Sequence, residues 1–173
     1  MFFTNRVRGT GHVLVPQHGN FAMSQNDHDI KVINGLIATT IDSAEGYQEA
    51  AKEAGNPTYR DLFQGWANDR RQVVAGLQQL TSSLGGTPED DGTALASIHR
   101  AFVDLRASMS KGDKAVVDEV ERGEDHIKAK YEDALKDEKL APAVRTAVQA
   151  AFTSVRQGHD EMRALKHGLE NRP

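Results

Sequence analysis

The sequence predicts an all-α fold of four long helices in two hairpins, with a shorter helix in the connection between the hairpins. Apolar residues recur at spacings of three, four and seven over four long segments, which is the period of a helix with one buried face. The composition favours strong helix formers, with only five prolines among 173 residues. Glycine or proline stands between the segments and marks their ends. A chain of this length can bury a proper core as one domain.

The first hairpin begins with a helix from about Asp27 to Ala54, because Asp27 and the polar residues before it offer N-cap oxygens. Gly55 suits the position after this helix, and Pro57 suits the first turn of the next one. The second long helix extends to about Leu84, where two glycines follow. Because the turn between these helices is so short, they must lie antiparallel.

The second half repeats this arrangement after a longer connection. Residues Thr87–Thr93 form a polar loop, and Ala94–Ser110 form the shorter helix. The third long helix runs from about Lys114 to Lys136, and the fourth runs from Pro142 to about His167. The long connection lets the second hairpin return parallel to the first. Two hairpins with one long crossover give a ferritin-like four-helix bundle, which we assign to residues 23–168.

The two ends of the chain differ from this pattern. Residues 1–22 have no helical period and contain three glycines, so we expect a disordered or loosely structured tail. A second interpretation takes Met23 as the natural start, because the composition changes abruptly there. Residues 169–173 form a short C-terminal tail.

Composition excludes several classes of protein. The net charge is −4 with both signs interspersed, so nothing indicates a nucleic-acid-binding or membrane-binding surface. No apolar run approaches the roughly 20 residues needed to span a bilayer. The chain has no cysteine, which excludes disulfides and thiol chemistry and fits a cytoplasmic protein. The phosphate-loop, nucleophile-elbow and zinc-protease motifs are also absent, which favours a non-enzymatic protein.

Two polar residues occupy positions where the helical pattern calls for core residues. Glu124 lies a full heptad from both Val117 and Tyr131 on the third long helix. On the fourth, His159 falls on the apolar seam between Val155 and Met162. A buried carboxylate or imidazole is costly unless it is paired, hydrogen-bonded or bound to metal. We therefore expect these two residues to have specific partners in the core.

Three further carboxylates flank the inner faces. Glu45 on the first helix and Asp69 on the second lie at similar distances from the turn between them, so they should be at nearly one level. Glu121 lies one turn before Glu124. Carboxylates from several helices with an imidazole suit a dinuclear iron or manganese site. The candidate metal ligands are Glu45, Asp69, Glu121, Glu124 and His159.

The ligand pattern of such a site is incomplete. A helix-core di-metal centre uses two Glu-x-x-His motifs, but Gln72 replaces the histidine on the second helix and Arg156 replaces the carboxylate on the fourth. Three interpretations therefore stay open: a ring of buried ion pairs that sets helix register, a degenerate or mononuclear metal site, and an intact di-metal centre. Arg70 or Arg156 in the space between the carboxylates would favour the ion-pair ring.

Several segments between about Asp27 and Leu165 are typical of one protein family. They are Asp42–Tyr47, Asp69-Arg70, Leu84–Pro88, Ile98–Arg106, Glu121–Asp125 with Tyr131, His159-Asp160 and Met162-Arg163. On these segments the chain resembles a bacterial family of uncharacterised four-helix-bundle proteins in the ferritin-like superfamily. The resemblance implies the fold and leaves the activity unassigned, and the family pattern favours Glu where this chain has Asp69.

Two functional hypotheses follow from these observations. One is a ferritin-like protein that binds iron or manganese in its core and has a stress-related role. The other is a metal-free helical bundle that acts through a protein partner or through self-association as a homo-dimer or higher oligomer, since a helix face can pair with its copy. A redox enzyme such as a peroxidase or an oxygenase is a third and weaker hypothesis.

Overall fold

The computed structural model describes residues 18–107 and 112–171, with side chains from residue 25 onward. Within these ranges the protein is all-helical and contains no strand, so the all-α prediction is confirmed. The five helices are α1 (His18–Glu53), α2 (Pro57–Ser83), α3 (Leu95–Ala107), α4 (Gly112–Lys136) and α5 (Pro142–Glu170).

The four long helices pack in a closed ring. Helix α1 packs against α2 and α4, and α5 packs against α4 and α2. The Thr40 hydroxyl lies 2.8 Å from the Tyr131 hydroxyl, and further along α1 Ser43 bonds to Glu124, so α1 and α4 run in opposite directions. Helices α2 and α4 consequently run in the same direction, so the chain between them has to return along the length of the molecule. The shorter helix α3 lies against α1 and α4.

Pro57 and Gly85 have the predicted roles, whereas Gly55 does not have the left-handed φ typical of a glycine that ends a helix. Asn56 accepts a hydrogen bond from the Thr58 N–H at 2.9 Å and caps α2, with Pro57 in its first turn. Gly85 follows α2 with a φ of 84°, a left-handed conformation that favours glycine. The Asp113 carboxylate at the start of α4 accepts hydrogen bonds from the backbone after α1, including one of 2.6 Å from the Gly55 N–H. The turn of the first hairpin is thereby fixed to the second.

Some helix ends differ from the expectation. Helix α1 begins at His18 rather than near Asp27. Residues 18–26 contain no proline, the residue that most strongly interrupts a helix. Residues 18–22 of the predicted tail are therefore helical, while residues 1–17 lie outside the described residues. Helix α5 continues to Glu170, past the expected end near His167. Residues 108–111, which include the predicted end of the shorter helix, also lie outside the described residues.

The apolar core consists of two clusters. The first cluster lies around Ile33, Ile37, Leu77 and Tyr131. The second lies around Phe63, nearer the turn between α1 and α2. None of the helices in the described part of the chain is both long enough and apolar enough to cross a bilayer.

Candidate functional site

A buried ion pair joins α2 to α4. The Nη2 atom of Arg70 donates to Oε2 of Glu124 at 2.6 Å. The Arg70 side chain is 0 % exposed and that of Glu124 is 1 % exposed. Charges buried this deeply are stable only when every polar atom has a partner, so the neighbours of the pair decide whether it can exist.

The helical period makes Arg70 a core residue. It lies seven residues after Phe63 and seven before Leu77, and both of these side chains are buried. The long arginine side chain therefore enters the core between the two apolar clusters. The prediction that Glu124 lies on a buried seam is confirmed by its 1 % exposure.

Serine hydroxyls complete the hydrogen bonding of the pair. The Ser43 hydroxyl on α1 donates to Oε1 of Glu124 at 2.9 Å and accepts from Nε of Arg70 at 3.2 Å. On the other side, Nη1 of Arg70 donates to the Ser154 hydroxyl at 3.1 Å and to Asp69 at 3.2 Å. The Ser154 hydroxyl in turn donates to Asp69. All four long helices thus contribute a side chain to one polar layer.

Gly158 on α5 provides the space that this layer needs. A Cβ atom at this position would lie 2.4 Å from Nη2 of Arg70 and 3.0 Å from Oε2 of Glu124. The first distance is far inside van der Waals contact and the second is tight, so a larger residue would push Arg70 away from its place in the ion pair. The glycine is therefore required by the packing of the pair, although its position in a helix is costly by itself.

Two aromatic rings enclose the guanidinium group. The Arg70 Cζ atom lies 5.2 Å from the Trp66 ring centroid and 5.7 Å from the Tyr47 ring centroid, within the range of cation–π attraction. Trp66 also donates from its indole nitrogen to Glu161 at 2.7 Å. Burial is the largest single effect and lowers the pKa of Arg70, but Glu124, Tyr47 and Asp69 together outweigh it and raise the pKa above its usual value. The cation is consequently permanent.

The hydroxyl of Tyr47 is the polar atom beside the layer that lacks a hydrogen-bond partner among the described residues. Burial, and then the negative charge of Glu124, raise the pKa of Tyr47 well above its usual value. The Glu124 carboxylate lies near enough for a weak hydrogen-bond interaction to contribute to this shift, but the hydroxyl has no hydrogen bond of normal geometry with any described atom. This buried donor is available for a further partner.

His159 is buried as predicted, with 3 % exposure, but it does not turn toward Glu124. Its Nε2 atom lies 2.9 Å from Asp125 and its Nδ1 atom lies 3.0 Å from Asp160. An ionised carboxylate only accepts hydrogen bonds, so both contacts are donations from the ring when the imidazole is protonated. A metal ion, in contrast, needs an unprotonated ring nitrogen.

The remaining predicted ligands are also directed elsewhere. Glu121 accepts a 2.9 Å hydrogen bond from Lys166, and Glu45 makes no hydrogen bond or ion pair with any described residue. Asp69 is engaged by Arg70 and Ser154. No group of three or more His, Asp or Glu side chains in the described ranges converges so as to hold a metal ion. The residues present therefore do not fit a di-metal centre, and Arg156 is exposed outside the layer.

The sequence indicates Arg70 as one of two arginines that could fill the space between the carboxylates, and Arg70 is the one that does so. Its heptad relation to Phe63 and Leu77 was the signal that could have assigned it to the centre of the core. The role of Gly158 was not recognised, although it directly precedes a seam residue. No sequence signal distinguishes Ser43 and Ser154 from other helical serines.

A cavity of about 220 Å³ lies between α1, α3 and α4 and reaches the polar layer. Helix α3 covers this cavity loosely, because Phe102 is the one buried residue in the described part of this helix. The start of α3 is held by Asp42 of α1, which accepts hydrogen bonds from the Thr93 hydroxyl at 2.8 Å and the Ala94 N–H at 2.9 Å. Tyr47 and Glu124 are among the residues that line this cavity.

The fold and the site define an all-α protein with a buried arginine–glutamate layer. Residues 28–137, more than half of the chain, match the family described as the domain of unknown function DUF2383. The chain belongs to this family, which confirms the expected resemblance to an uncharacterised family. The match includes Arg70 and Glu124, but it ends before α5, which supplies Ser154 and Gly158. No curated protein matches the chain.

Proposed function

We propose that this protein is a ferritin-like four-helix bundle that functions without a core metal and acts by binding rather than by catalysis. The observation that carries this proposal is the Arg70–Glu124 ion pair. A permanent cation lies among the inner-face side chains of all four long helices, where a bundle of this type would hold its metal ions. The guanidinium group neutralises the carboxylate that a metal would need.

The chain topology supports the ferritin-like part of the proposal. Helices α1 and α2 form one hairpin and α4 and α5 form the other, while the connection at residues 84–111 makes α2 and α4 parallel. One long crossover between two hairpins is the arrangement found in ferritin-like bundles.

The donor set supports the metal-free part. Glu124 is engaged by Arg70 and Ser43, and His159 has a carboxylate at each ring nitrogen. Metal binding would have to break these contacts and leave Arg70 as an unpaired buried cation. Removing one member of a buried ion pair typically costs about 3–5 kcal/mol, which strongly opposes a metal at this place.

The layer also lacks the features of a catalytic group. Arg70 cannot release its proton at physiological pH, and Glu124 is held in its ion pair with Arg70. A general acid or base must change protonation state within reach of a substrate. The ion pair is better suited to fixing the register of the helices, as a buried polar group can do in a helical bundle.

Metal analysis tests the proposal. Protein purified without chelator is measured for iron, manganese and zinc, and is then titrated with each metal by calorimetry. We expect no stoichiometric metal and no specific binding. One or two bound equivalents that disappear in Glu124→Gln, but persist in the matched surface variant Asp61→Asn, would overturn the proposal.

Self-association stays a prediction of the sequence. Among the described side chains, Val103 on α3 is the exposed large hydrophobic residue, with 42 % exposure. Obligate dimers usually bury a large apolar interface, so a homo-dimer of this chain would need a mainly polar one. Sedimentation velocity at high protein concentration tests for it, and a single monomeric species would count against it.

A further inference from the structure

The cavity between α1, α3 and α4 has the shape and chemistry of a small ligand site. Its volume is about 220 Å³, which exceeds the roughly 150 Å³ of an engineered apolar cavity that binds benzene. Side chains of Ile98 and Phe102 on α3 and of Val120 and Ile127 on α4 form apolar walls. Such walls favour a ligand with an apolar group about as large as an aromatic ring.

The inner end of the cavity offers one unused hydrogen-bond donor. The Tyr47 hydroxyl is buried and has no hydrogen-bond partner among the described residues. Leaving a buried polar group without a partner costs about 1–3 kcal/mol, so a partner that enters the cavity would recover this loss. The carboxylate of Glu124 lines the same cavity and still has acceptor capacity beyond its bonds to Arg70 and Ser43.

The carboxylates around the cavity are already engaged. Glu124 is paired with Arg70, and Glu119 on the rim is paired with Arg122. Asp42 keeps its negative charge but accepts hydrogen bonds from the Thr93 hydroxyl and the Ala94 N–H at the start of α3. The Asp42 charge would repel an anionic ligand, and a cationic one would have to compete with these hydrogen bonds, which favours a neutral ligand.

We propose that this cavity binds a small neutral aromatic alcohol of phenol type. The ring lies between the walls from α3 and α4. Its hydroxyl group accepts a hydrogen bond from Tyr47 and donates one to Glu124, which a hydroxyl group can do at the same time. This inference rests on the proposed function in one respect, since it names a ligand for a protein that acts by binding.

Calorimetric titration of the full-length protein tests the site with two probes of nearly equal size. Phenol has the hydroxyl group, and toluene lacks it. We expect one equivalent of phenol to bind with a Kd of about 1 mM or lower. Toluene is expected to bind about tenfold more weakly, because the buried donor then stays unpaired. Absence of saturable phenol binding, or equal affinity for both probes, would refute the proposal.

Substitution of Tyr47 tests the hydrogen bond. Tyr47→Phe removes a hydroxyl that has no partner in the protein, so the variant keeps its packing. Phenol should bind about tenfold more weakly to it, whereas toluene should bind equally well to both proteins. An unchanged phenol affinity would contradict the assigned role of the hydroxyl.

Filling the cavity provides an independent test with a matched control. Gly46 lines the cavity, and a Cβ atom there would meet nothing within 4 Å. Gly46→Leu should therefore abolish phenol binding without harming the fold. Gly76→Leu makes the same change on the exposed face of α2, where a Cβ atom also meets nothing within 4 Å, and should bind phenol normally. Phenol binding that survives Gly46→Leu would place the ligand elsewhere and overturn the inference.

Metal analysis of the same samples separates the two proposals. Metal-free protein that does not bind phenol refutes the ligand inference and leaves the metal-free bundle intact. Protein that retains stoichiometric metal refutes the metal-free bundle, whatever the result with phenol.

Discussion

Replacing Arg70 by methionine should expose the energetic role of the buried ion pair. Methionine is similar in length and apolar, so Arg70→Met leaves the Glu124 carboxylate 1 % exposed without its cation. The Ser43 hydroxyl would still donate a hydrogen bond to that charge. Loss of one partner from a buried ion pair costs about 3–5 kcal/mol of unfolding free energy. For a domain of this size, that loss lowers Tm by about 6–20 °C.

A second substitution separates the buried charge from the lost packing. Arg70→Met combined with Glu124→Gln removes both charges and keeps a group that can bond to Ser43. An unsatisfied neutral group costs about 1–3 kcal/mol, so the double variant should be about 2 kcal/mol more stable than Arg70→Met. Urea unfolding of the wild type, both single variants and the double variant measures this coupling.

Two results would refute this explanation of the stability loss. If Arg70→Met lowers the unfolding free energy by less than about 1 kcal/mol, the ion pair is not buried as described. If the double variant is no more stable than Arg70→Met, the cost arises from packing and not from an unpaired charge.

Three further perturbations have defined outcomes. Gly158→Ala brings a Cβ atom to 2.4 Å from Nη2 of Arg70 and should lower the unfolding free energy by about 1–3 kcal/mol, measured by urea unfolding. Asp113→Ala removes the acceptor of the 2.6 Å hydrogen bond from the Gly55 N–H and should cost about 1–2 kcal/mol in the same assay. The backbone N–H of Lys139, and then His28, lower the pKa of Asp137. A carboxyl group with a lowered pKa stabilises the fold above its unfolded pKa of about 3.9 and loses this contribution as the pH falls. Asp137→Asn should therefore lose less stability than the wild type on acidification, measured by urea unfolding at several pH values.

Matched substitutions control these measurements. Gly123→Ala makes the same change as Gly158→Ala on a helix where a Cβ atom meets nothing within 4 Å, and it should be neutral or stabilising. Asp61→Ala removes an exposed carboxylate and is the control for Asp113→Ala. Equal effects in a variant and its control would contradict the structural explanation. For Asp137, the explanation would be contradicted if the wild type and Asp137→Asn lost the same unfolding free energy on acidification.

The fold was largely predictable because it depends on local signals. The helix period located the long helices, and Pro57, Gly85 and Pro142 marked ends that the structure confirms within a few residues. The start of α1 was less predictable, since a helix without a strong stop signal can extend into a polar segment.

The site was predictable only in part. The buried positions of Glu124 and His159 follow from their spacing, and both are confirmed. Their partners could not be derived in the same way. Spacing gives the face of a helix on which a residue lies, but not the direction in which a long side chain turns. Glu121 and His159 could therefore be expected to converge, whereas they bond to Lys166 and to two aspartates.

The sequence by itself determined the helices, their hairpins and the presence of costly polar residues in the core, because these depend on period, capping and composition. Only the tertiary structure decided which partners those residues have. The register of α2 against α4 and α5 brings Arg70 to Glu124 and leaves room for the pair at Gly158. This choice depends on contacts between residues far apart in the chain, and such contacts are determined by packing rather than by local sequence.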